Sequence, residues 1–111
     1  MATAKFIHDG DSIDYTPGSN VAAGDVVPQG DLVGIAKRDI VANALGALAV
    51  TGVFDVPKAT GAGTAIAAGA KVYWNATAQQ ATTTASGNKY LGKTVKAAVD
   101  ADATVRVRLE Q

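Results

Sequence analysis

Twelve glycines and three prolines punctuate this chain of 111 residues, and most of the intervals between them are too short to carry a stable helix. The intervening residues are rich in Val and Thr, which suit a pleated, half-buried surface. Short strands joined by turns are therefore expected.

Reading along the chain, Lys5 to His8 is an expected first strand, ended by the turn dipeptide Asp9-Gly10. Ser12 to Tyr15 alternates and is expected to pair back with it. Thr16 to Asn20 is a turn or loop. Val21 to Val27 and Leu32 to Ala36 follow, separated by Pro28-Gln29-Gly30-Asp31. Leu48 to Val56 alternates, with Leu48, Val50, Gly52, Phe54 and Val56 on one face. Ile66 to Trp74, Gln79 to Thr84 and Lys89 to Val99 read as extended. In the last strand Val105, Val107 and Leu109 point one way, and Thr104, Arg106, Arg108 and Glu110 the other. Ile40 to Leu48 and Lys96 to Ala103 are Ala-rich enough for a short helix, but neither has a capped amphipathic stripe. The expected fold is all-β: a small barrel or sandwich of short antiparallel strands with at most one or two short helices. Residues 1–20 are expected to form an N-terminal arm or hairpin, and residues 21–111 a single β-rich domain.

Part of this pattern occurs twice. Val21-Ala22-Ala23-Gly24-Asp25-Val26-Val27 matches Ile66-Ala67-Ala68-Gly69-Ala70-Lys71-Val72, and Leu32-Val33-Gly34 matches Tyr90-Leu91-Gly92. The second copy is longer by an extra hairpin between Tyr73 and Lys89. Two readings stand: an internal duplication, or chance recurrence of Ala, Gly and Val strings.

The core is thin for the length. Hydrophobic residues are 48% of the chain, but 23 of them are Ala and only 13 are Val. Ala removes little surface from water, so contacts with other chains are expected to supplement the stability of a monomer. Ten basic residues balance ten acidic ones, which leaves no positive excess to track a phosphate backbone. No Cys is present, which excludes disulfides and thiolate chemistry. The longest apolar stretch, Ala44 to Val50, is far below the ~20 residues of a membrane-spanning helix. The first residues lack an apolar signal region and read as a cytosolic start.

Catalytic side chains are sparse. The one histidine, His8, is more simply a surface group than a catalyst. Ser12, Ser19 and Ser86 lie in turn-like contexts without a nucleophile elbow. Asp9-Gly10-Asp11-Ser12-Ile13-Asp14 begins like a calcium loop, but Ile13 stands where an oxygen ligand is required. Asp100 and Asp102 flank Ala101 in another expected turn. Asn75-Ala76-Thr77 fits a glycosylation pattern and is read as a turn. Tyr73, Trp74 and Tyr90 are expected to pack in a core or interface. No catalytic, cofactor or metal site is assigned.

Two family resemblances follow from these strings. Val21 to Val33, with its Gly-Asp turn before Val residues, resembles half of a lipoyl or biotinyl carrier domain, for which Lys37 is the nearest candidate for modification. The wider resemblance uses Phe6-Ile7-His8-Asp9-Gly10, Val21 to Val27, Leu32-Val33-Gly34, Gly52-Val53-Phe54-Asp55-Val56, Gly69 to Trp74, Tyr90-Leu91-Gly92-Lys93 and the closing Val105 to Leu109. In that order and spacing the chain resembles the DUF2190 family of tailed-phage and prophage proteins. The resemblance implies a head decoration, or capsid cement, protein without catalytic residues or cofactors. It implies binding to the major capsid protein on the outer surface of an expanded capsid, after synthesis in the host cytoplasm, as a homo-oligomer with a trimer favoured. Residues expected at such interfaces are Ala2, Thr3, Lys5, Phe6 and Ile7 in an N-terminal contact arm, and Arg106 and Arg108 on the polar face of the last strand.

Overall fold

The computed structural model describes residues 3–111. Nine strands form among them: β1 (Ser12–Tyr15), β2 (Val26–Gln29), β3 (Leu32–Ala36), β4 (Gly46–Ala49), β5 (Val53–Pro57), β6 (Lys71–Asn75), β7 (Gln80–Thr82), β8 (Lys89–Thr94) and β9 (Thr104–Leu109). The described residues contain no helix. All ladders are antiparallel, in a four-stranded sheet β1-β4-β3-β2 and a five-stranded sheet β5-β9-β8-β6-β7. Neither sheet closes into a barrel. The nearest approach is a single parallel bridge, Lys58 to Ala81, that brings the end of β5 back towards β7.

Several local expectations are corrected. Lys5 to His8 forms no strand, and Ser12 to Tyr15 pairs with β4 instead, with Ile13 opposite Leu48 and Asp14 opposite Ala47. Leu48 is the better partner because it is fully buried beneath Ile13, whereas Phe6 and Ile7 would add only an exposed pair. The stretch Leu48 to Val56 is two strands of different sheets. Gly52, at φ 109°, lets the chain turn between them. Of the two Ala-rich windows, Lys96 to Ala103 is a loop and Ile40 to Leu48 a loop that runs into β4; the Val21–Ile40 and Ile66–Ala98 bridges anchor them.

The duplication is present in three dimensions. In the first half Gly24 N–H donates to the Ala36 carbonyl and Ala36 N–H to the Asp25 carbonyl; in the second, Gly69 donates to Thr94 and Thr94 to Ala70. Val50 N–H donates to the Asp11 carbonyl as Leu109 N–H does to Gly52. The strand registers agree: Ile35–Ala49 and Ala36–Leu48 correspond to Lys93–Arg108 and Thr94–Val107. Thus β1, β4, β3 and β2 match β5, β9, β8 and β6, and β7 is an addition to the second half. The glycine shared by the repeated strings has a steric reason. A Cβ on Gly34 would lie 2.6 Å from Leu48 Cβ, and one on Gly92 would overlap the carbonyl oxygen of Arg108.

Each half keeps its own buried cluster, and the larger one joins the two. Leu48, Ala36 and Ile40 centre the first, with Ile13, Tyr15, Val21 and Val27 around them. Val33 and Ile35 project from the other face of β3 into the second cluster, beside Leu91, Trp74, Val107 and Leu109. The two sheets therefore pack as a sandwich. An exposed ion pair, Lys89 Nζ to Asp31 Oδ1 at 2.6 Å, also crosses between the halves.

Candidate functional site

The two halves carry the same groove, finished differently. In the first half a groove of about 560 Å³ runs between the loop after β3 and the β1–β4 edge, lined in part by Ser12, Lys37, Arg38, Val41, Leu45 and Ala47. Val41 and Leu45 are 62% and 71% exposed. In the second half the equivalent groove is about 180 Å³ and is lined in part by Asp55, Lys96, Asp102, Thr104 and Arg106. The register explains the difference. Arg106 lies opposite Asp55 on β9 and β5, and its Nε and Nη2 donate to the two carboxylate oxygens at 2.9 and 3.2 Å. The corresponding pair in the first half is Ala47 opposite Asp14, so no side chain fills the space. Among the described residues Asp14, Lys37 and Arg38 form no ion pair.

The hydrogen bonds from Arg106 hold the Asp55 carboxyl below the usual carboxylate range, and the one from Lys89 does the same for Asp31. Burial, reinforced by a hydrogen bond to Glu110 at 3.2 Å, pushes the Tyr90 phenol up. Tyr90 also meets Tyr73 edge to face, with centroids 5.6 Å apart.

Sequence reasoning missed Lys58. It is 4% exposed at the end of β5, where the first half carries the buried Pro17. Its Nζ donates to the carbonyls of Ala59, Val99 and Asp102 at 2.8, 3.1 and 2.9 Å, and to Thr64 Oγ1 at 3.4 Å. Asp100 Oδ1 accepts from the Thr64 and Ala65 amides, and Asp102 Oδ2 from Val99. Asp100 and Asp102 are thus loop-closing acceptors, and Lys58 is the cation that gathers the Val99 and Asp102 carbonyls of the same loop. A lone Lys in a Val-Pro-Lys string gives no sign of this, because the Val99 and Asp102 carbonyls come from more than forty positions away.

The interface residues expected from sequence fall into two places. Thr3, Lys5, Phe6 and Ile7 lie in a segment without strand pairing, Phe6 at 78% and Ile7 at 73% exposure. Ala2 lies outside the described residues. Arg106 and Arg108 are on the exposed face of β9, where Arg106 is engaged by Asp55 and Arg108 has no ion-pair partner among the described residues. The strand does not bring the arginines to the N-terminal segment in any described contact.

Other candidates resolve as local structure. His8 Nδ1 accepts from Gly10 N–H at 2.9 Å. Asn75 Oδ1 accepts from Thr77 and Ala78, which makes the Asn75-Ala76-Thr77 string a turn. Trp74 is buried. Lys37 lies at the bend after β3 rather than at the β2–β3 hairpin tip, which is Gly30-Asp31. No group of three metal-ligating side chains occurs among the described residues.

Fold and surface together describe a small all-β protein made of a duplicated four-strand sheet, with polar side chains closing its loops and apolar ones presented outward. A family model of phage cement proteins matches residues 7–109, and the chain belongs to that family. The family indicates a structural, capsid-associated protein of a bacteriophage. No curated protein and no solved structure matches the chain.

Proposed function

We propose that this protein decorates and stabilises the expanded capsid of a tailed phage, binding across neighbouring copies of the major capsid protein on the outer surface. The observation that carries the reading is the outward placement of Phe6, Ile7, Val41 and Leu45 on a member of a cement family. Single exposed apolar residues are ordinary, but four of them on one arm and one groove form material for an interface. Full burial of Phe6 and Ile7 contributes on the order of 3–6 kcal/mol before ordering costs. Many copies, each with a modest interface, then resist the pressure of packaged DNA together.

In this reading Thr3, Lys5, Phe6 and Ile7, ahead of β1, form a contact arm on a neighbouring subunit. Ala2 belongs to the same arm. Arg108 offers its guanidinium to the capsid, and Arg106 offers only the outer face of a guanidinium already paired. A homotrimer is the favoured assembly, since a closed ring gives each thin core a second source of stability. Co-sedimentation with purified expanded capsids tests the function. Saturable binding, released by mild denaturant before the capsid dissociates, is expected. Protein that stays in the supernatant at every concentration overturns the proposal.

A further inference from the structure

The duplicated groove shows what its unfilled copy is built to take. In the second half the space above the β5–β9 pair is occupied by the Arg106 side chain, whose guanidinium rests on Asp55. The first half retains the acid, as Asp14, but replaces the arginine with Ala47. What remains is a groove about three times the volume, with Ala47 in its lining, Asp14 opposite Ala47 in the ladder, and the exposed Val41 and Leu45 at its rim. Lys37, Arg38 and Asp39 line it as well, Asp39 already accepting from the Ala23 N–H, so it presents both signs of charge. A suitable occupant brings a cation for Asp14, apolar side chains for Val41 and Leu45, and an acid for Lys37 and Arg38.

The chain carries such a segment. Lys5-Phe6-Ile7-His8-Asp9 has a cation, two large apolar residues and an acid in sequence, and its first three residues have no strand partner among the described residues. We infer that the N-terminal segment of one copy docks in the β1–β4 groove of a second copy. There Lys5 takes towards Asp14 the role that Arg106 takes towards Asp55. Phe6 and Ile7 cover Val41 and Leu45, and Asp9 faces Lys37 and Arg38. The contact joins different surfaces on the two copies, so it is head to tail, and three copies can close a ring through it. The inference rests on residues 3–7 being a contact arm, as proposed above, and names the neighbouring subunit it contacts as a second copy of this chain, so that the capsid meets the assembled ring rather than Phe6 and Ile7 directly.

The absence of Cys makes the test direct. Ile7→Cys and Leu45→Cys are made in separate chains, both at exposed positions, with Ser86→Cys on a distant exposed loop as the control acceptor. The two chains are mixed without capsids under mild oxidation. Docking raises the effective concentration of the thiols, so the Ile7–Leu45 disulfide is expected to form roughly tenfold or more faster than the Ile7–Ser86 one. Lys5→Glu in the donor should remove that advantage, and Asp14→Lys in the acceptor should restore it. A rate equal to the control overturns the inference. So does a chain carrying both cysteines that closes on itself at high dilution, since the occupant is then its own arm. Failure here with capsid binding intact leaves the proposed function standing and removes only the copy-to-copy contact.

Discussion

Gln111 holds Val33 across the join between the two sheets: its Oε1 accepts from the Val33 N–H at 2.8 Å, while its Nε2 donates to the carbonyls of Tyr90 and Leu91 at 2.9 and 3.0 Å. One amide thus bonds backbone groups of β3 and β8 at once. Gln111→Ala should cost about 1–2 kcal/mol, as expected for unpaired, partly buried backbone groups. Urea unfolding at fixed protein concentration measures it. A midpoint unchanged from the parent would mean that water replaces the amide at no cost.

Lys58 should be the most sensitive polar position in the chain. Lys58→Met keeps the aliphatic stem but leaves the Ala59 and Asp102 carbonyls without their donor and takes one of two donors from Val99, which keeps the Asp102 N–H. A loss of about 2–4 kcal/mol is expected, the range for several charge-assisted bonds broken in a buried site. Thermal unfolding should show it as a fall of roughly 10 °C or more. Amide exchange should localise the loosening to residues 58–65 and 98–103.

The two equivalent glycines should differ in tolerance. A Cβ at Gly92 meets the Arg108 backbone, which cannot move without breaking the β8–β9 ladder. At Gly34 it meets the Leu48 side chain and, farther off, the Ala49 carbonyl. Gly34→Ala should cost about 1–3 kcal/mol, a typical overpacking penalty. Gly92→Ala should cost more, and soluble yield with circular dichroism compares the two directly. Equal stability of the two variants would contradict the close approach of Gly92 to the β9 backbone.

Stability should be flat from neutral pH down to about 5 and fall only below the ordinary carboxylate range, near 3.9 for Asp. The sign follows from Asp55 and Asp31, whose carboxyls are held low by Arg106 and Lys89. Such groups contribute while ionised, and the contribution is lost as pH falls through their folded-state values. Both pairs are exposed, so the effect should be small and salt-sensitive. Asp55→Asn should remove part of the acid dependence, and a thermal midpoint recorded at each pH checks it.

Deleting residues 2–7 should leave the circular dichroism of the parent, because residues 3–7 belong to no strand. The truncated protein should lose capsid decoration. A truncated chain that fails to fold would end the arm reading.

How much of the molecule is legible in its sequence depends on where the partner groups lie in the chain. Thr104 to Leu109 is readable in full because its alternation is local: each side chain's face follows from the pleat alone. Leu32 to Ala36 and the paired Gly34 and Gly92 strings are equally visible. The Leu48 to Val56 run misleads because two strands in sequence can keep one alternation while the chain passes from one sheet to the other at Gly52. Lys5 to His8 looks like a strand by composition, but a strand exists only where a neighbour accepts its backbone, and β4 accepts Ser12 to Tyr15 instead. The grooves are not legible at all, since each is bounded by a loop and a strand pair brought together from separate parts of the chain.

The sequence by itself determined an all-β chain of short strands, the repeated strings and the outward cations of β9, all properties of local pattern and turn chemistry. Tertiary structure alone decided that Arg106 fills one groove while Ala47 leaves its twin unfilled. It alone made Lys58 a buried cation and brought Gln111 against Val33. The reason is physical: these relationships join groups far apart in the chain, and their energies exist only once the sheets have paired and excluded water between them.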